Sequence, residues 1–298
     1  MSAWIAFTVL AAFMQAVRTA GQKQISSSVS PMGATLTRYI FGLPFAVVYL
    51  LFVSHFTAFS LLSDALVNSR FVIYGLMAGV AQIIATVLLV KCFNFRNFTV
   101  GTSFAKTEAI QTAVFGMLLF GSTMTTLGWL AVAVGVLGIL IVSIPRKAGQ
   151  WEPMNVLLGT LSGTAFSLTS LWLREASLSL GLPALKSAAV TLVFMVSAQS
   201  LMCLLYIAFR EKEQFGAIRK RISLAWFVGL TSALGSVGWF TAMTLQNPAL
   251  VKSLGQVEFI FTLLLTTFFF KEKVTGRELV GVLAIIASVI LILQATST

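Results

Sequence analysis

Two glutamates raise the first chemical question. Glu108 and Glu258 stand near the centres of long apolar runs, 150 residues apart. A charge near mid-bilayer costs roughly 2.5–3.5 kcal/mol on insertion scales, so a residue kept there faces a cavity or a partner. Other polar groups stand near them at helical spacing. Lys106 is two residues before Glu108, and Gln111 is three after it on the same helical face. Lys252 and Gln256 share a face in the run that holds Glu258, and Gln15 and Arg18 lie three apart in the first run. These eight residues are the candidates to line a polar cavity and bind a substrate or proton. A low dielectric disfavours the charged form of a carboxyl, so a glutamate there can load and release a proton. Arg18 or Lys106 could meet an anionic group on a substrate. The plainer reading is a structural ion pair, such as Lys106 with Glu258. Gln82 and Gln199 read as glue between helices.

Other chemistries lack material. The sequence has one histidine, His55, and two cysteines, Cys92 and Cys203, with no metal-ligand spacing. Its one aspartate, Asp64, falls between apolar runs, so paired-aspartate chemistry within a membrane is not available. No phosphate-binding glycine loop is present. An enzyme is therefore not expected, nor a cofactor or metal. The net charge of +11 does not indicate nucleic acid, because the lysines and arginines fall mostly between apolar runs, where they set membrane topology.

The elements that must hold these residues follow from composition. The 298 residues are 58% hydrophobic and 10% charged, with mean hydropathy +0.95. A soluble domain is about 25% charged, so lipid must be the solvent for much of this chain. Runs long enough to cross about 30 Å of hydrocarbon number ten. They are Ser2–Ala20, Leu36–Val53, Phe71–Val90, Phe98–Phe120, Leu127–Ile144, Met154–Leu173, Ala184–Ala208, Ala225–Leu245, Pro248–Phe270 and Leu279–Leu293. The first run is not a signal peptide, since no basic segment precedes it and it carries Gln15 and Arg18. Phe215, Ile218 and Ile222 form a stripe among the charges of Phe209–Leu224, the pattern of an interfacial helix. Trp4, Trp151 and Trp226 sit at run ends as interfacial anchors, whereas Trp172 and Trp239 read as deeper packing residues. Gly75 and Gly79, and Gly159 and Gly163, permit close helix approach.

The break at Pro145–Pro153 divides the chain five plus five, with repeats at 1–145 and 146–298. A shift of 150 residues sets Asn97 on Asn247, Ser103 on Ser253, Glu108 on Glu258, Thr112 on Thr262 and Thr125 on Thr275. An odd number of spans per repeat inverts the second repeat, giving an all-α membrane protein of ten helices in two inverted repeats. Lys23, Lys91, Arg96, Arg146, Lys147, Arg210, Lys212, Arg219, Lys220, Arg221, Lys271, Lys273 and Arg277 fall on one face, against Arg70, Arg174 and Lys186 on the other. The positive-inside rule then leaves both termini outside the cytoplasm.

The segment Asn247–Leu293, NPALVKSLGQVEFIFTLLLTTFFFKEKVTGRELVGVLAIIASVILIL, resembles the last two helices of EamA-type members of the drug/metabolite transporter superfamily. Its mid-span polar residue, the acidic turn at Glu272, and then Thr275 and Gly281 carry the likeness, and Asn97–Val142 resembles the same unit. Two features depart from the pattern: Phe259 follows Glu258 where the family often has proline, and Ser122 stands opposite Glu272. The resemblance implies a multi-pass protein of a bacterial inner membrane, monomeric or homodimeric. It implies an alternating-access secondary transporter, expected to export amino acids, related metabolites or drug-like compounds and open to proton coupling. It also implies cytoplasmic termini, against the charge bias. The alternative is a membrane scaffold or sensor subunit, which would not need charges at matched mid-membrane positions.

Overall fold

Backbone polar groups inside hydrocarbon must bond within the chain, and a single apolar segment achieves this only as a helix. The computed structural model describes residues 2–55, 57–95, 98–143, 152–270 and 275–297, and contains no strand among them. The first half comprises α1 (Ala3–Ile25), α2 (Pro31–Ile40), α3 (Leu43–Ser54), α4 (Ala58–Val67), α5 (Ser69–Cys92), α6 (Phe98–Ala105), α7 (Glu108–Phe120) and α8 (Thr126–Ser143). The second comprises α9 (Pro153–Ser179), α10 (Ala184–Arg210), α11 (Gln214–Lys220), α12 (Ile222–Leu245), α13 (Pro248–Leu254), a 3₁₀ turn (Gly255–Val257), α14 (Glu258–Phe270) and α15 (Gly276–Ser297).

Helix starts carry their signals. Ser30 and Asn68 accept from the backbone N–H three residues on, at 3.0 and 3.1 Å, and Pro31 follows Ser30 at the first helical position. Thr275 and Glu278 bond reciprocally, a capping box that opens α15.

All ten expected runs are helical, but three are interrupted. The second divides at Phe41–Gly42, where Pro44 cannot donate to Ile40. The fourth divides at Lys106–Thr107 and the ninth at Gly255–Val257. Among the described residues seven helices are long and apolar enough to cross a membrane: the two pieces of the second run counted as one, with α1, α5, α9, α10, α12 and α15. Length and composition thus pick out seven spans among the described residues, against the ten expected.

Other expectations need correction. Trp4 is buried rather than an interfacial anchor, whereas Trp226 is partly exposed and meets the edges of Phe41 and Phe45. The helix α4 falls where a plain connection was expected, and its Phe59 and Val67 are 87% and 86% exposed. In the stretch expected to form an interfacial helix the chain forms the short helix α11, with Ile218 buried and Phe215 partly exposed, while Ile222 opens α12. Helix α11 is tied to the start of α2, where Ser30 donates through its N–H to Gln214 at 2.8 Å and through its hydroxyl to Glu211. Asn97, Glu272, Trp151 and most of the Pro145–Pro153 break lie outside the described residues.

Three long contacts organise the bundle: α5 along α9, α1 along α12, and α8 along α15. Each joins the first half to the second. Counted by run, these are three with six, one with eight, and five with ten. Advancing every member by five exchanges the first two contacts and returns the third to itself. Small residues set the closest approaches. A Cβ on Gly159 would lie 2.1 Å from the Gly101 carbonyl oxygen, and one on Gly281 would lie 2.1 Å from Val142. Gln199 donates to Gln82 at 2.8 Å and to the Gly79 carbonyl at 3.1 Å, which is the adhesive role expected of that pair. Cys92 and Cys203 are buried free thiols.

The α6–α9 contact predicts that Gly159→Ala forces two backbones apart, a cost of about 1–3 kcal/mol for overpacking. Gly216, which meets nothing within 4 Å, tolerates alanine. Thermal unfolding in detergent should show a lower midpoint for the first variant and no loss for the second. Equal midpoints would refute the close contact.

Candidate functional site

Two of the three interrupted runs, the fourth and the ninth, meet at the centre. At each break one half-helix ends and the next begins with a glutamate: Glu108 is the first residue of α7, and Glu258 the first of α14. A carboxylate at a helix N-terminus faces unpaired N–H groups and the positive end of the helix dipole. The hydroxyls of Thr112 and Thr262 occupy matched positions and donate to the carbonyls of Glu108 and Glu258, at 2.6 and 2.9 Å. Both acids are buried, at 8% and 5% exposure.

Each glutamate takes its cation from the other half of the chain. Lys252 donates to Glu108 Oε2 at 3.2 Å, and Lys106 donates to Glu258 Oε2. Gln15 of α1 adds a second donor to Glu258 Oε2 at 2.6 Å, and Trp239 of α12 donates to Gln15 Oε1 at 2.9 Å. The Lys252 ammonium lies 4.7 Å from the Trp239 ring centre and 5.7 Å from that of Phe166, within cation–π range. Gly255 lets the indole come this close, because a Cβ there would stand 2.2 Å from the ring.

These groups surround a cavity lined by Gln15, Lys106, Glu108, Trp239, Lys252, Gly255, Gln256 and Glu258. Its volume is about 10 Å³, room for roughly one water. Six of the eight residues singled out from sequence line it. Gln256 presents a buried amide whose oxygen and nitrogen have no partner among the described residues. The other two sit apart. Gln111 bonds Thr107 Oγ1 at 2.8 Å and lies opposite Gly163 of α9. Arg18 is buried outside the lining, within the electrostatic reach of Glu258 and Glu108.

Sequence reasoning missed Trp239 and Gly255 as lining residues. It also missed Arg38, a buried charge in the third position of the Leu36–Val53 run. Its signal was the same as that of the glutamates, a charge inside an apolar run.

Fold and site together define an integral, multi-pass helical membrane protein with paired charges buried between its two halves. A model of the EamA-like transporter family matches the chain twice, over residues 2–144 and 153–294, and the chain belongs to that family, within the drug/metabolite transporter superfamily. A small-molecule substrate and a lipid environment follow from membership. No curated protein matches the sequence significantly. Among solved structures 25 chains match. One crystal structure superposes with a TM-score of 0.73 over 100% of this chain and 99% of its own, at 14% identity, a likeness of fold.

The crossed pairs yield a test. Lys252→Met leaves Glu108 buried without its cation, a loss of about 3–5 kcal/mol. Adding Glu108→Gln should recover most of it, read as the unfolding midpoint of the purified protein. A double variant no more stable than the single would mean that the pair is not an energetic unit.

Proposed function

We propose that this protein is a secondary transporter of small molecules that works by alternating access, with Glu108 and Glu258 at its centre and at least one of them carrying a coupling proton. In this reading its ten helical runs form two inverted five-helix repeats, 1–145 and 146–298. They lie in a bacterial plasma membrane, and efflux of amino acids, related metabolites or drug-like compounds is the expected direction.

One observation carries the reading: each mid-span glutamate is ion-paired to a lysine of the opposite half, at the matched breaks of two helices. Discontinuous helices that meet at a repeat interface are where carriers of this kind place substrate and ion sites. The exchange of helix contacts on advancing by five runs supports the same symmetry. A drug-sized ligand needs roughly 300–1,000 Å³, so a cavity of about 10 Å³ is a closed site. Opening it means parting the crossed ion pairs. A proton on Glu258 removes the charge that holds Lys106, and one on Glu108 frees Lys252. Protonation therefore loosens the latch between the halves, which is the link a proton-coupled carrier requires.

Glu258→Gln keeps the shape of the side chain and its bond to Gln15 while removing the titration. Reconstituted in vesicles, this variant should insert and fold, lose pH-gradient-driven uptake of an amino-acid panel to the level of empty vesicles, and retain exchange. Normal gradient-driven uptake in both Glu108→Gln and Glu258→Gln would make the glutamates structural. Orientation has its own test. Under the Lys/Arg bias a C-terminal reporter active only outside the cytoplasm should be active. Signal from a cytoplasm-only reporter would show the family orientation overriding the bias.

A further inference from the structure

Arg18 of α1 and Arg38 of α2 are both buried, at 3% and 4% exposure, and the Arg38 charge is felt at Arg18. Neither has a carboxylate in salt-bridge range among the described residues. Arg38 donates one hydrogen bond, to Thr86 Oγ1 at 3.1 Å. The Nε of Arg18 has no partner at all among the described residues. A guanidinium carries five N–H donors, so most of this donor capacity is unspent.

The neighbourhood is open in the same sense. Gln22, one turn beyond Arg18 on the same face, is 1% exposed and its amide nitrogen is unpartnered. Across the contact with α12, Gly21 packs on Val228 and Gly235 on Met14. The two helices are therefore antiparallel, and Ser232 stands level with Arg18. Its buried hydroxyl is unpartnered too. Gly229 of α12 packs on Phe41, one turn past Arg38, and Ser30 at the start of α2 bonds Gln214 just ahead of α12, so α2 runs parallel to α12 and Arg38 stands level with Gln22, one turn along α1 from Arg18. Arg174 gives the contrast. It spends its donors on the carbonyls of Met243, Thr244 and Gln246 at the end of α12, as a cation at a helix C-terminus does.

Charge balance points the same way. Glu108 and Glu258 are each ion-paired to a lysine, so among the described residues neither buried arginine has a carboxylate of its own. Buried charge of one sign persists only with a counter-charge. We propose that Arg18 and Arg38 together seat the anionic group, a carboxylate or phosphate, of the molecule this protein carries. Planar guanidiniums bind such oxyanions through paired N–H bonds. Gln15 lies one turn along α1 from Arg18, so the rest of the substrate would reach the Glu258 cavity. At the C-terminal end of α1, Gln24 with Lys220 and Arg221 lines a recess of about 240 Å³ that carries two positive charges.

The inference rests on the carrier reading, but its test is a binding measurement that needs no flux. Purified protein in detergent is titrated with inorganic phosphate, succinate and citrate, against chloride at equal ionic strength, with the unfolding midpoint as readout. The expected result is a saturable rise with at least one oxyanion and none with chloride. Binding should weaken about tenfold in Arg38→Lys and in Thr86→Val, since one charge-assisted bond is worth about that much. Both variants keep the buried volume and, for lysine, the charge, so folding is preserved. No rise with any oxyanion, or unchanged affinity in both variants, overturns the inference. So does a rise produced by phosphatidylglycerol alone, which would make the pair a lipid headgroup site. Loss of proton-driven flux with oxyanion binding intact would count against the carrier reading and not against the anion site.

Discussion

A carboxylate in hydrocarbon needs a cation within hydrogen-bond reach, and in this bundle the cation always comes from the other half of the chain. Lys106 reaches Glu258 and Lys252 reaches Glu108. Neither half could bury its glutamate alone without leaving an uncompensated charge. The crossed pairs thus make the assembly of the two halves a condition of their own stability, and they fix where the broken helices must meet.

The breaks follow from the same constraint. A continuous helix presents no free N–H groups at its middle. An interrupted one places a helix N-terminus there, and both glutamates occupy that position. Just ahead of the second break, Gly255 gives Trp239 the room to cover Lys252 and to hold Gln15 against Glu258. Polar groups from α1, α7, α12, α13 and α14 are thereby drawn into one connected network, which is why so little space remains between them.

Much of this was legible in sequence. Charges inside apolar runs are rare enough to stand out, and the 150-residue offset singled out the glutamates and their supporting threonines. The pairing was only half legible, because the lysines do not share the offset: Lys106 falls on Gln256, and Lys252 on Thr102. Trp239 could not be told from packing aromatics, since an indole in an apolar run carries no mark of the partner its N–H will find. The interruption at Lys106–Thr107 has no proline or glycine to announce it. Gln111 shares a helix with Glu108, yet a side chain of that length can satisfy its amide on Thr107 instead of the cavity. The helix α4 escaped notice because ten residues fall short of a span.

The position of Trp239 has an optical consequence. Its indole N–H is bonded to Gln15 and its ring lies beneath the Lys252 ammonium. Gln15 in turn is bonded to Glu258. Indole emission responds to nearby charge and to hydration, and both change at this ring when the central pairs separate and water enters. Of the six tryptophans, this one lines the cavity among the described residues. The intrinsic fluorescence of the protein therefore contains a signal that originates at the site itself, so opening and closing can be followed in real time without attaching a label.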